Sequence, residues 1–114
     1  MTERLGRADL HIHTLASDGT AGVLDLLDHV ESAATLDVIA IADHERIDAA
    51  LVARAIAIER GLRFDVVIGE EVTTLGGHLL ALWIDAPVRP FRSLRWTIAP
   101  TNSGFGCERP LEWV

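Results

Sequence analysis

The sequence predicts an α/β fold, a mainly parallel sheet with flanking helices. Three observations support this. Short apolar runs alternate with amphipathic stretches in the order β-α-β-α-β-β, an order that calls for parallel strands joined by helical crossovers. The second run, Leu36-Asp37-Val38-Ile39-Ala40-Ile41, is mostly apolar on both faces, as a strand covered on both sides should be. Histidines and carboxylates collect at the ends of these runs, where sites gather in folds of this kind.

Residues 1–7 are polar and form no element. A first strand is expected over Ala8 to His13. After the turn Ser17-Asp18-Gly19, Thr20 is placed to cap a helix. Val23, Leu27 and Val30 recur at helical spacing, with Asp25, Asp28 and Glu31 between them, so an amphipathic helix runs to about Ala34. The Leu36–Ile41 strand stops at Ala42-Asp43-His44. A second helix spans Asp48 to Arg60, with Ala49, Val52, Ala53, Ile56 and Ala57 on its buried stripe and Gly61 as its C-terminal cap. Phe64 to Ile68 is a third strand, leading into Gly69-Glu70-Glu71-Val72-Thr73-Thr74. Gly76-Gly77 makes a hairpin turn, since no helix follows to make it a phosphate loop. His78 then opens a fourth strand over Leu79 to Ile84.

From about Arg89 the character changes. Three of the four prolines, two of the three tryptophans and the single cysteine fall in 89–114. A helix beginning at Ser93 would be stopped by Pro100, and Thr101-Asn102-Ser103-Gly104 is loop chemistry. The organisation expected is therefore one domain over 8–88 and an irregular tail over 89–114.

Composition narrows the function classes. The chain has 114 residues, and 49% of them are apolar, enough for one small domain with a core. A net charge of −7 argues against nucleic acid as a partner, because no basic surplus exists to neutralise phosphates. All ten basic residues are arginine, a hint of a high-GC coding sequence. Cys107 stands alone, so no internal disulfide forms and a reducing compartment fits. No leader-like or membrane-length apolar run occurs, and the expected location is cytoplasmic with no membrane partner.

The chemistry begins at Asp9-Leu10-His11-Ile12-His13-Thr14. Strand alternation puts Asp9, His11 and His13 on one side and Leu10 and Ile12 on the other. Two imidazoles and a carboxylate then face one way, with Asp18 on the loop beyond. His44, Glu71 and His78 also sit at the end of an apolar strand or in an adjoining turn, and this donor set suits Zn, Mn or Fe. Asp43 either orients a ligand histidine or caps its loop. His29 is mid-helix, where a solvated or packing role is the simpler reading. Glu45 and Arg46 read as the exposed start of a loop. Trp83, Trp96 and Trp113 show no stacking pattern with basic residues and read as core or loop packing, and Cys107 as a structural thiol.

Taken together, the chain resembles the N-terminal part of a PHP (polymerase and histidinol phosphatase) domain of the stand-alone metal-dependent phosphoesterase type. The matching pieces are Asp9-Leu10-His11-Ile12-His13-Thr14 with Ser17-Asp18-Gly19, then Ile41-Ala42-Asp43-His44, then Gly69-Glu70-Glu71-Val72-Thr73-Thr74 with Gly77-His78-Leu79-Leu80-Ala81-Leu82. The resemblance implies part of a distorted (β/α)7 barrel with two or three divalent metal ions at its C-terminal face. It implies His11 and His13 on a first metal, Asp18 and His44 on a second, Glu71 bridging and His78 helping to hold a third. Glu71 is preferred over its neighbour Glu70 on the Gly-x-Glu pattern, which strand alternation alone does not decide. Asp18 and Glu71 are the candidates for a catalytic part, and Asp9 and Asp43 stand behind the ligands.

The implied activity is hydrolysis of small-molecule or nucleotide phosphoesters by metal-activated water. Complete domains of the family are well over twice this length and add a further histidine and a late Asp-x-His pair. No histidine follows His78 here, so a truncated or frame-shifted reading frame is expected. Two alternatives stand: a non-catalytic metal- or partner-binding remnant, and a polymerase-associated nuclease module. A partial barrel leaves sheet edges and apolar helix faces uncovered, so self-association or a completing partner is expected.

Overall fold

The computed structural model describes residues 5–99, and the expectations for Thr101–Gly104, Cys107 and Trp113 lie outside them. The order is β1 (Ala8–Ile12), α1 (Val23–Ala33), β2 (Val38–Ile41), α2 (Asp48–Arg60), β3 (Asp65–Thr74), β4 (Gly77–Leu82) and α3 (Leu94–Ile98). The strands form one sheet in the order β1-β2-β3-β4. β2 pairs in parallel with β1 and β3, and β4 is antiparallel to β3. The α/β class and mainly parallel sheet are those expected.

Strand alternation sorts side chains between the two sheet faces. Ile39 and Ile41 of β2 and Val66 of β3 pack with Leu27 and Val30 of α1 and with Ala50, Ala53 and Ala57 of α2, and Ile12 and Ile68 lean on the same cluster. A second, smaller cluster joins Ile47, Val72, Ala81, Ile84 and Val88, again with Ile68 against it. The opposite face carries His11, His13 and Glu71.

β3 is one continuous strand rather than a strand ending at Ile68. Its first half, Asp65 to Ile68, pairs with β2, and its second half, Gly69 to Thr74, pairs with β4. β4 begins at Gly77 and ends at Leu82, short of the expected Ile84. Trp83 takes φ 56° there, a left-handed turn that ends the pairing and leads Ile84 into the second cluster. Trp83 itself is 63% exposed, so it is not the packing residue expected.

Helix ends show which local signals prevail. α2 runs over the expected residues and closes on Gly61 at φ 62°, whose N–H meets the Ala57 and Ile58 carbonyls. Its buried stripe is Ala49, Ala50, Ala53 and Ala57; Val52 is exposed, and Ala50 joins the core cluster in its stead. Thr20 does not cap α1: the cap is Gly22, without a side-chain hydrogen bond. The Leu15 N–H donates to the Ala21 carbonyl at 2.9 Å, so the preceding loop closes at Ala21, just before the cap. Arg63 serves the other end of α1, donating to the Val30 carbonyl at 2.9 Å and the Leu36 carbonyl at 3.2 Å.

Part of the expected irregular tail is ordered against β3. Phe91 N–H donates to the Thr73 carbonyl at 2.7 Å, and Leu75 N–H to the Arg92 carbonyl at 2.8 Å. Ser93 caps α3 through the Trp96 N–H. The Arg92 guanidinium lies 5.2 Å from the Trp96 ring centroid, a cation–π pair four residues apart that overturns the expectation of no stacking between Trp96 and a basic residue.

α2 leaves Leu51, Val52 and Ile58 exposed. An open groove of about 770 Å³ runs beside Ala57, Ile58, Val66, Ile68, Trp83 and Ile84, away from the histidines. No helix among the described residues is long and apolar enough to cross a membrane. The contrast between core and exposed leucines is measurable by denaturant unfolding. Leu27→Ala, at a site 0% exposed, is expected to lower stability by about 2–5 kcal/mol. Leu51→Ala, 45% exposed, is expected to change it by less than about 1 kcal/mol.

Candidate metal centre

The site is assembled by backbone pairing that continues past the end of β2. Ala42 N–H donates to the Ile12 carbonyl at 2.7 Å, Glu71 N–H to the Asp43 carbonyl at 3.0 Å, and Glu45 N–H to the Glu71 carbonyl at 3.3 Å. His44 and Glu71 thereby form an isolated parallel bridge. Glu45, expected as an exposed loop start, takes φ 55° and accepts the Thr73 N–H at 2.6 Å. The loop bearing His44 is thus tied to β3 by backbone and side chain alike.

Four imidazoles converge on the Glu71 carboxylate. His11 Nε2 lies 2.6 Å and His13 Nε2 2.8 Å from Oε1, and His44 Nε2 is 3.9 Å from the same oxygen. His78 Nδ1, paired across the hairpin, lies 2.9 Å from Oε2. Asp18 contacts His13 Nδ1 through one oxygen, and His44 Nε2 lies 3.2 Å from the other. Glu71 is 7% exposed, whereas the side chains of His11, His78 and Asp18 are at least half exposed. The result is a buried carboxylate under an open ring of nitrogen donors.

The structure brings together six sequence-identified residues: His11, His13, Asp18, His44, Glu71 and His78. They form three overlapping groups, His11–His13–Glu71, His13–Asp18–His44 and His44–Glu71–His78, with donor atoms in each within 4.8 Å of one another. The donor set fits divalent metal. Both His13 ring nitrogens face carboxylates, so with no cation between them this ring must carry two protons to satisfy both. Two carboxylates and four neutral imidazoles sum to −2, a charge that a divalent cation offsets, and mixed nitrogen and oxygen donors suit first-row ions.

Titration follows the same geometry. Burial acts against a charged His13 ring, but hydrogen bonds to Asp18 and Glu71 outweigh it and raise the ring above its ordinary value. Burial would also push Glu71 up, yet hydrogen bonds from His11 and His13 hold it down. The hydrogen bond with His13 holds Asp18 low.

The remaining candidates stand outside this ring. Asp9 accepts the His11 backbone N–H at 3.2 Å, not an imidazole N–H, and the β1 register shifts between Asp9 and Ile12. Asp43 is 1% exposed and accepts from Thr14 and Ser17, so it ties down a loop. His29 is exposed on α1. Arg46, beyond His44, pairs with both Asp48 oxygens at 2.7 Å and donates to the Ala16 carbonyl at 3.2 Å. Thr14 and Ser17 were visible in the motif without a role. Their hydroxyls two and five positions past Ile12 are the available signal.

Glu70 points to the other face of β3. It is 0% exposed, accepts the Val88 N–H at 2.8 Å, and its Oε2 is buried without a hydrogen-bond partner. Glu70 is the alternative that Glu71 displaces at the cluster, because adjacent residues in a strand face opposite ways.

The comparisons with known proteins agree with this layout. No protein-family model and no curated protein matches the sequence. Among solved structures, a two-domain protein of Bacteroides vulgatus containing a predicted PHP-like metal-dependent phosphoesterase is 21% identical, with a TM-score of 0.61, over 71% of this chain and 27% of its own. An amidohydrolase of Chromobacterium violaceum, with bound sulfate and no metal, is 30% identical, with a TM-score of 0.59, over 69% of this chain and 28% of its own. A Bifidobacterium adolescentis protein assigned as a metal-dependent phosphoesterase is 27% identical, with a TM-score of 0.55, over 69% and 27%. The chain is thus similar to PHP-like metal-dependent phosphoesterase structures and has the fold of part of a PHP barrel. It spans little more than a quarter of the length of each of these neighbours.

Burial raises Glu70 from the ordinary 4.5 to about 7, against the Val88 hydrogen bond and with Glu45 adding to it. The folded protein therefore holds this proton more tightly than the unfolded chain. Stability falls as pH rises from about 4.5 to about 7, by at most about 3 kcal/mol. Glu70→Gln removes this term, so its stability relative to the parent is expected to rise between pH 5 and pH 8, read from paired denaturant melts at about those two values.

Proposed function

We propose that this chain carries the first part of a divalent-metal centre that hydrolyses phosphoesters, with zinc, manganese or iron as the ions. The observation that carries this reading is the convergence of His11, His13, His44 and His78 on Glu71. The phosphoesterases among the similar structures support it. The chemistry that divalent ions supply when bound at such a site is activation of water at neutral pH and neutralisation of charge on phosphoryl oxygens.

The residues themselves divide the work. His11 and His13 with Glu71 would hold one ion, Asp18 and His44 with His13 a second, and His78 with His44 and Glu71 a third. Glu71, buried on a paired strand, keeps the groups at fixed spacing. The exposed side chains of His11, Asp18 and His78 leave the opening to a small or nucleotide phosphoester. A cytoplasmic setting fits the single cysteine.

A second reading is metal binding without turnover, as a remnant or as one part of an assembly. The half-exposed flank favours it, because an open site excludes water poorly and presents ligands on one side only. The amidohydrolase neighbour makes the amide bond a third substrate class to test, and single-stranded DNA tests the nuclease alternative.

The deciding experiment is elemental analysis of the purified chain, with hydrolysis of phosphomonoesters, phosphodiesters, single-stranded DNA and simple amides assayed on the same sample. The expected outcome is about two or more ions per chain, with phosphoester turnover. Glu71→Gln should weaken metal binding by at least about a hundredfold, since even residues behind the ligands cost 10–100-fold. Metal without turnover would support the binding reading, and absence of metal would overturn both.

A further inference from the structure

We infer that Asp43 is a positioning residue for the second metal position: it holds the Thr14–Ser17 turn to the sheet so that Asp18 stands between His13 and His44. The inference rests on the metal-centre reading above. Asp18 is the ligand with the least support of its own. Its side chain is 62% exposed, it lies on a loop, and apart from the two imidazoles its neighbour is the Ser17 hydroxyl at 3.5 Å.

The loop is a compact unit. Ser17 N–H and Gly19 N–H both donate to the Thr14 carbonyl, at 3.1 and 2.9 Å, and Ala16 N–H donates to the Thr14 hydroxyl at 3.1 Å. Gly19 closes so tightly on the His13 carbonyl that a Cβ there would lie 2.2 Å from its oxygen. A unit this rigid transmits the place where it is anchored.

Asp43 is that anchor. One carboxylate oxygen accepts the Thr14 N–H at 2.7 Å and the Ser17 hydroxyl at 2.7 Å, and the other accepts the Thr14 hydroxyl at 2.7 Å. A carboxylate 1% exposed loses its hydration, and three donors to the ionised form offset that loss. The same residue precedes His44 in the chain, and its carbonyl accepts the Glu71 N–H at 3.0 Å. Asp43 thus joins the loop carrying Asp18, the residue next to it, His44, and the strand carrying Glu71. Arg46, through the Ala16 carbonyl, is a lesser second tie.

The position affected is specific. His11, His13 and Glu71 sit on paired strands or directly at a strand end and do not need the turn, whereas the group of His13, Asp18 and His44 does. Asp43→Asn keeps the shape and removes the charge. Ser17→Ala removes one donor, and Ser17→Thr restores a hydroxyl.

The test is manganese binding by calorimetry, with electron paramagnetic resonance to distinguish a coupled ion pair from a single ion. Asp43→Asn and Ser17→Ala are expected to weaken the second ion about 10–100-fold while the first stays within about threefold, and Ser17→Thr to recover the pair. Equal loss of both ions, or a pair retained at the parent affinity, would overturn the inference. Should Asp43→Asn fail to fold, the Ser17 variants decide. If the parent chain takes up neither manganese nor zinc nor iron, the metal-centre reading fails. Amide exchange over Thr14–Gly19 in metal-free Ser17→Ala then judges the anchor: faster exchange than in the parent supports it, and unchanged exchange overturns it.

Discussion

The cluster depends on a few parallel backbone hydrogen bonds made after β2 has formally ended. Glu71 N–H to the Asp43 carbonyl and Glu45 N–H to the Glu71 carbonyl carry the β2–β3 register into the loop. A shift of one residue there would bring Glu70 to the imidazoles and send Glu71 into the second core. His11 and His13 reach the same carboxylate from β1, on the other side of β2. The centre is therefore a consequence of sheet register, with side chains completing what the main chain aligns.

Burial of charge is handled differently at three neighbouring carboxylates. Asp43 is stripped of water and surrounded by donors. Glu71 is nearly as buried and is met by nitrogen donors that a cation can replace. Glu70 has a single backbone donor and an unsatisfied oxygen, and its proton affinity rises accordingly. Burial alone therefore does not say what a carboxylate is for. The partners available to its charged form separate anchor, ligand and buried acid.

Much of the fold was legible in the sequence because its signals are local. Gly61 marks the end of α2, Gly76-Gly77 marks the hairpin, and the apolar runs mark the strands. The features that were not legible depend on neighbours distant in the chain. Thr20 is a good cap in isolation, but the preceding loop closes at Ala21 and the helix begins after Gly22. Val52 is more hydrophobic than Ala50, yet the turn of α2 that meets the sheet puts Ala50 in the core cluster and leaves Val52 exposed. Six metal-ligand candidates were legible as residue types at strand ends. That Asp43 holds the turn behind Asp18 was not, since the partners lie 26 and 29 residues apart and meet only through β1–β2 pairing.

The described residues form two apolar cores that share Ile68. His11, His13, Asp18 and His44 are carried by elements packed on the larger core, or by loops tied to them. His78 and the β4-paired half of β3 adjoin the smaller one, to which β4 contributes Ala81 as its one buried residue. Such a hairpin is the kind of unit that opens without global unfolding. An ion shared by His44, Glu71 and His78 would act as a cross-link between these cores, joining two cooperative units into one. Its binding energy would then be spent partly on folding, and removing it would loosen the hairpin before the helices.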